Sequence, residues 1–316
     1  MDIRASILDA VGDTPLVRLG RLHAPGNLVA KIEYVNPGGS IKDRIGLAMI
    51  EAAERDGLLQ PGGTIVEPTS GNTGVGLAMV AAIRGYRLVC VMPDKMSQEK
   101  IDGLRAYGAE VHVTPTDVEP EDPRSYYSVA ARLAEEIPGA FSPNQYANPA
   151  NPGAHYRTTG PEIWEQTDGK VDALVVGVGT GGTITGAARF LKEKNPLVQV
   201  VGVDPIGSIY TAASAAEVHG YVTEGVGEDF WPEVFDRSLV DRFIRVSDRD
   251  AYAMARRLAS TEGVLVGSSG GMAVVGALQV AAETPDDLVV VILPDSGRSY
   301  VSKLFNDAWM AEQGFL

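Results

Sequence analysis

The sequence predicts an α/β protein built from two doubly wound parallel sheets. Three observations predict it: short, nearly continuous Val/Ile/Leu runs, amphipathic helical runs between them, and a Gly/Pro-dense stretch that divides the chain near its middle. Strands covered by helices on both faces read as unbroken apolar runs, and a regular strand–helix alternation implies parallel pairing through helical crossovers. The 316 residues are enough for one large domain or two medium ones, each with ample core.

In chain order, strands are expected at 28–33, 64–67, 87–92, 110–114, 173–178, 199–203 and 288–293, where β-branched and aliphatic residues cluster between Gly, Pro and charged punctuation. Helices are expected at 45–56, 74–84, 98–107, 126–136, 182–194, 248–261 and 272–282, where apolar residues recur with helical spacing. Pro138, Gly139, Pro143, Pro149, Pro152 and Gly153 punctuate 137–160, the stretch in which the chain is expected to cross between two lobes. From 211 to 240 the rhythm is lost, which predicts a long loop or a lid.

Composition narrows the function. A net charge of −14 argues against nucleic acid or an anionic membrane as partner, because both require a basic face. The lone Cys90 lies in Leu88-Val-Cys-Val-Met92 and reads as a buried small hydrophobe, so no disulfide forms within the chain and no zinc spacing exists. His23, His112, His155 and His219 are scattered and form no ligand pair, so no metal is expected. The N-terminus lacks a signal pattern and no apolar run approaches membrane-spanning length. A cytoplasmic enzyme acting on small molecules is the natural class.

Four glycine-rich stretches carry the chemistry. In Asn36-Pro-Gly-Gly-Ser-Ile-Lys42-Asp-Arg44 a lysine sits at the opening of a helical run. The positive end of the helix dipole disfavours a charged amine there, which suits a nucleophilic lysine. Glu67-Pro-Thr69-Ser70-Gly71-Asn72-Thr73-Gly74 follows a strand, opens a helix and offers more hydroxyl and amide groups than one N-cap requires. Val176-Gly177-Val-Gly179-Thr180-Gly181-Gly182-Thr183 is a phosphate cradle by composition; it also fits the dinucleotide pattern, with Asp204 about where a ribose-binding acid would stand. Val266-Gly-Ser-Ser269-Gly-Gly271 precedes a further helix. A nicotinamide-binding oxidoreductase would use the third stretch and Asp204 but leaves Lys42 and the 69–74 loop without a role, whereas pyridoxal 5′-phosphate (PLP) uses all four.

These segments, together with Asn144-Gln-Tyr-Ala-Asn-Pro-Ala-Asn-Pro-Gly-Ala-His-Tyr156 and Thr158-Thr-Gly-Pro-Glu-Ile-Trp164, resemble in order the fold type II β-family of PLP enzymes, the cysteine synthases and cystathionine β-synthases. Val203-Asp-Pro-Ile-Gly-Ser-Ile209, Tyr146, Glu224-Gly-Val-Gly-Glu-Asp-Phe-Trp-Pro232 and Leu293-Pro-Asp-Ser-Gly-Arg-Ser-Tyr-Val-Ser-Lys303 are more similar to the cystathionine β-synthase branch.

The resemblance implies two doubly wound, tryptophan synthase β-like domains with the cofactor between them. A large PLP-binding domain is expected at 1–40 and 146–316, and a small mobile substrate domain at 41–145, without C-terminal regulatory domains and without haem. It implies that Lys42 forms the Schiff base and relays the substrate Cα proton. It further implies that Asn72 meets the ring hydroxyl, Gly179, Thr180, Gly181, Gly182 and Thr183 hold the phosphate, and Ser269 meets the ring nitrogen. Thr69, Ser70, Gly71, Thr73, Gln145 and Tyr146 are expected at the substrate, with Gly225 helping to seal the site. The implied reaction condenses L-serine or O-acetyl-L-serine with L-homocysteine to L-cystathionine through an aminoacrylate; sulfide in place of homocysteine would make it a cysteine synthase. The family further implies a homodimer.

Overall fold

The computed structural model describes residues 3–22, 26–69, 71–94, 96–119 and 122–316. The chain divides into two compact units: one holds residues through Val11 and Asn36–Ala150, the other Gly12–Val35 and Asn151–Leu316. The cuts were expected at 40/41 and 145/146; they fall at 35/36 and 150/151, and the stretch through Val11 joins the smaller unit.

The strands are β1 (Leu16–Arg18), β2 (Asn27–Ile32), β3 (Thr64–Pro68), β4 (Arg87–Pro93), β5 (Glu110–Thr114), β6 (Ala173–Gly177), β7 (Gln199–Pro205), β8 (Arg242–Val246) and β9 (Leu288–Leu293). The helices are α1 (Lys42–Arg55), α2 (Asn72–Arg84), α3 (Gln98–Ala106), α4 (Tyr126–Glu136), α5 (Ala150–Arg157), α6 (Thr159–Gln166), α7 (Gly182–Lys194), α8 (Asp248–Glu262), α9 (Ser268–Glu283) and α10 (Asp307–Glu312). Mixed α/β architecture with parallel sheets is therefore present in both units, as the apolar runs predict.

The larger unit carries a six-stranded sheet in the order β1-β2-β9-β6-β7-β8. Every pairing is parallel except β1 with β2. Alternate residues share one face of a strand. Leu28, Ala30 and Ile32, Val175, Val201 and Val203, and Val289, Val291 and Leu293 pack in one core with Met272, Ala277 and Val280 of α9 and Ala251, Ala255 and Leu258 of α8. The intervening Leu174, Val200, Val290 and Ile292 are equally buried, so helices cover both faces.

The smaller unit holds the parallel sheet β3-β4-β5. Val66, Val89 and Val91 pack against Ala130, Val129 and Leu133 of α4. Helices α1 and α2 meet at two glycines. A Cβ on Gly46 would lie 2.6 Å from the Gly76 backbone, and one on Gly76 would lie 2.7 Å from the Lys42 carbonyl oxygen. Any side chain would push the helices apart, so this contact fixes the start of α1 against the first turns of α2.

Five elements escape the sequence reading for physical reasons. α10 has six residues, fewer than two full turns, too few to show a period. β1 has three residues, too few to show a period. In β8, Arg242 and Arg245 break the apolar run at a sheet edge, where only one neighbour must be matched. α5 and α6 carry Pro152 and Pro161 in their first turns, where the missing N–H has no intrahelical partner to lose, so prolines that read as punctuation are helix starts.

Candidate active site

In the smaller unit Lys42 is the first residue of α1, three residues earlier than the expected helix, and is half-buried. Its backbone N–H donates to Ser40 Oγ at 3.2 Å, and the Asp43 carboxylate takes the Gly38 N–H at 2.6 Å, which folds the Pro-Gly-Gly turn onto the helix start. A Cβ at Gly38 would strike that carboxylate at 2.5 Å, so the turn requires glycine there.

Asn72 opens α2, half-buried, directly after Gly71 at φ +134°, a conformation for glycine only. Thr69 is 2% exposed. Its hydroxyl oxygen accepts the Gly71 and Gly74 N–H groups, each at 3.1 Å, so Thr69 builds the loop and keeps only its hydroxyl hydrogen to offer outward. Thr73 Oγ1 donates to Gln145 Oε1 at 2.7 Å in a buried contact, so two residues 72 positions apart that were assigned to the substrate do meet. Tyr146 follows, half-buried; Ser70 lies outside the described residues.

Glu67 is the residue the sequence reading passed over. It is 1% exposed at the end of β3, and its two carboxylate oxygens accept the backbone N–H groups of Asn144 at 3.0 Å and Gln145 at 3.4 Å. Burial pushes its pKa up to about 7 against the lowering pull of those two hydrogen bonds. The signal available in the sequence was a carboxylate in an otherwise apolar strand.

In the larger unit α7 starts after Gly181, which has φ +81° and no side-chain cap. The loop before it is glycine because neighbours fill the space. A Cβ on Gly179 would meet the Gly225 carbonyl oxygen at 2.7 Å, one on Gly181 the Phe235 ring, and one on Gly182 the Asn151 amide at 1.9 Å. Asn151 Nδ2 also donates to Thr180 Oγ1 at 3.1 Å, and Tyr210 donates its hydroxyl to the Gly179 carbonyl at 2.5 Å. His155 Nε2 lies 3.2 Å from Thr183 Oγ1. The result is a braced loop ending in an uncapped helix N-terminus, which is the shape and the polarity a phosphate requires. Ser269 occupies the first turn of α9, not a turn ahead of it, and is 3% exposed; α9 also begins after a glycine, Gly267, without a side-chain cap.

The segment 211–240 contains only the short turns Ala215–Glu217 and Arg237–Leu239, as its lost rhythm predicts. It is nonetheless pinned to its own unit. Asp248 accepts the N–H groups of Val222 and Thr223 at 2.8 and 2.9 Å, Gly227 donates to Val178 at 2.7 Å, and Lys303 pairs with Glu224 at 3.0 Å. That pair joins the two stretches that lean towards the cystathionine β-synthase branch. Gly225, exposed at φ +82°, follows Glu224 directly.

Residues 7–295 match the family described as pyridoxal-phosphate dependent enzyme. The chain belongs to that family. Its membership makes it a PLP-dependent enzyme, and the braced 179–183 loop and the glycine-led starts of α7 and α9 fit such a cofactor. Over 322 aligned residues, covering 99% of the chain, it is 52% identical to the cystathionine β-synthase of Oryctolagus cuniculus, and it spans 58% of that relative's length. Among solved structures, O-ureido-L-serine synthase is 41% identical with a TM-score of 0.90, covering 98% of this chain and 99% of the other. The O-acetylserine dependent cystathionine β-synthase of Helicobacter pylori is 39% identical with a TM-score of 0.89, covering 96% and 99%.

Asp204, on which the dinucleotide alternative depended, is fully buried, and its Oδ2 accepts the Thr211 hydroxyl at 2.8 Å. It anchors its own loop instead of facing a ribose. Among the described residues, no group of three or more His, Cys, Asp and Glu stands together as a metal site, and no helix is long and apolar enough to cross a membrane.

Proposed function

We propose that this chain condenses L-serine or O-acetyl-L-serine with L-homocysteine to give L-cystathionine. The observation that carries the reading is the 52% identity to a cystathionine β-synthase along 99% of the chain.

When bound, PLP supplies an electron sink for loss of the substrate Cα proton and of the β leaving group. The chain's residues do the remainder. Lys42 would hold the cofactor's aldehyde carbon, and its Nζ would carry the substrate's Cα proton. Asn72 orients the ring hydroxyl. The N–H groups and hydroxyls of Gly179, Thr180, Gly181, Gly182 and Thr183 neutralise the phosphate with the α7 dipole. Ser269 meets the ring nitrogen without a carboxylate's charge, which moderates the sink and favours β-elimination over transamination. Thr73 and Gln145, with the loop at Thr69, Ser70 and Gly71, receive the amino-acid carboxylate, and Tyr146 and Gly225 border the substrate. Exclusion of water from the site would suppress competing hydrolysis.

The test is product analysis of the purified holoenzyme with each donor, L-serine and O-acetyl-L-serine, against homocysteine and sulfide in parallel. Cystathionine formed with the higher kcat/KM supports the reading. Cysteine formed from sulfide with the higher kcat/KM replaces it with cysteine synthesis.

A further inference from the structure

We infer that Glu67 is a positioning residue for amino-acid binding: its carboxylate fixes the Asn144–Gln145 turn and thereby sets the Gln145 amide against Thr73. The functional half of this statement rests on the amino-acid-binding role proposed above for Thr73 and Gln145; the geometry does not.

Three observations within the smaller unit carry it. First, the turn that Glu67 holds has an uncommon backbone. Asn144 has φ +49°, the left-handed region that asparagine tolerates better than other residues with a side chain, and this directs its N–H and that of Gln145 the same way. Its N–H goes to Glu67 Oε2, and its carbonyl accepts the N–H groups of Ala147 and Asn148 at 3.1 and 2.9 Å. Second, Glu67 grips consecutive peptides: the next N–H, that of Gln145, goes to Oε1. Fixing both N–H groups fixes the direction in which the Gln145 side chain leaves the backbone, and that side chain ends on Thr73 at 2.7 Å. Third, no cation faces the buried carboxylate among the described residues. Leu88, Cys90 and Met92 of β4, which share its face of the sheet, are buried. The titratable neighbour is Cys90, its register partner on β4, whose thiol is pushed to about 12 by burial first and by Glu67 second, and so stays neutral. Among the described residues, the turn's two N–H groups are the hydrogen-bond donors to this carboxyl, and its protonation state reaches the turn directly.

The sign follows. A carboxyl whose folded pKa lies near 7 instead of the ordinary 4.5 is protonated in the folded protein below that value. Ionisation strengthens both N–H hydrogen bonds, because charged acceptors bind more tightly. Amino-acid affinity therefore rises as pH rises through about 7. Folding stability moves the opposite way: the burial cost of the charge grows between pH about 4.5 and about 7, so stability falls across that window.

The experiment measures Kd for L-serine and for O-acetyl-L-serine on the holoenzyme by absorbance titration, from about pH 6 to about pH 8. It compares wild type, E67Q and E67D. In parallel, calorimetry follows the melting temperature of each from about pH 4.5 to about pH 8. E67Q should weaken binding about tenfold at the alkaline end, flatten the pH profile, and leave kcat within about twofold. E67D, which keeps the charge one methylene short, should restore a sloping profile; it carries the test if E67Q does not accumulate in soluble form. The melting temperature of wild type should fall relative to E67Q as pH rises. Wild-type Kd and pH profile in E67Q overturn the inference, as does a melting difference that does not change with pH. If neither amino acid binds wild type while the calorimetric difference follows pH as described, the charge linkage of Glu67 stands and the substrate reading above fails.

Discussion

Helices α7 and α8 belong to the same unit and begin in opposite ways. Ser247 caps α8 by taking the Asp250 N–H, and Asp248 and Asp250 place two negative charges in its first turn. The positive end of that helix is satisfied from within. α7 follows Gly181 and has neither a side-chain cap nor an acidic residue in its first turn. α9, led by Gly267, repeats the α7 arrangement, while α4 and α10 are capped by Ser125 and Asn306. An uncapped start is not in itself a site, since α3 and α6 also lack a cap bond. What separates α7 and α9 is the glycine that leads each of them and the packing that forbids a side chain there. At these two starts the leading glycine supplies no side-chain cap, and at α7 the Gly182 N–H goes to Thr180 Oγ1 at 3.4 Å, whereas at α8 the Ser247 cap stabilises the fold.

The largest effect that would sharpen this contrast belongs to α1, whose first residue is Lys42. Lys42→Ala should reduce turnover by at least about 10³-fold, measured as product formed per enzyme with cofactor in excess. Near-normal turnover would detach the chemistry from that helix start.

Next is Gly182→Ala. The new methyl group would collide with the Asn151 amide that braces Thr180. PLP affinity, read by titrating apoprotein, should fall about tenfold or more, consistent with the usual cost of overpacking. Ser247→Ala should be the smallest of the three, a loss of about 1 kcal/mol of stability by denaturant unfolding with the PLP Kd unchanged. A Ser247→Ala variant that lost cofactor would erase the distinction between the two kinds of helix start.

Much of this was legible in the sequence because the signals are local. The Val/Ile/Leu runs of β4, β6 and β9 and the helical periodicity of α4 and α7 appear within a few residues, and their observed limits lie within one residue of the expected ones. The glycine-rich loops are equally local, since each glycine answers to a turn or a close neighbour. What stayed hidden depends on distant partners. Proline reads as a breaker until its place in the first turn of α5 or α6 is known. Thr69 reads as a ligand-facing hydroxyl until the N–H groups of Gly71 and Gly74 are seen to occupy its oxygen. The part played by Glu67 becomes visible only when Asn144, 77 positions away, folds back onto it.

The most direct test of the account maps the cofactor attachment. Purified protein loaded with PLP is reduced with borohydride, digested and sequenced by mass spectrometry. The account predicts a visible absorption band before reduction and a single pyridoxyl group on the peptide containing Lys42. A pyridoxyl group on another lysine, or none on any, would contradict it.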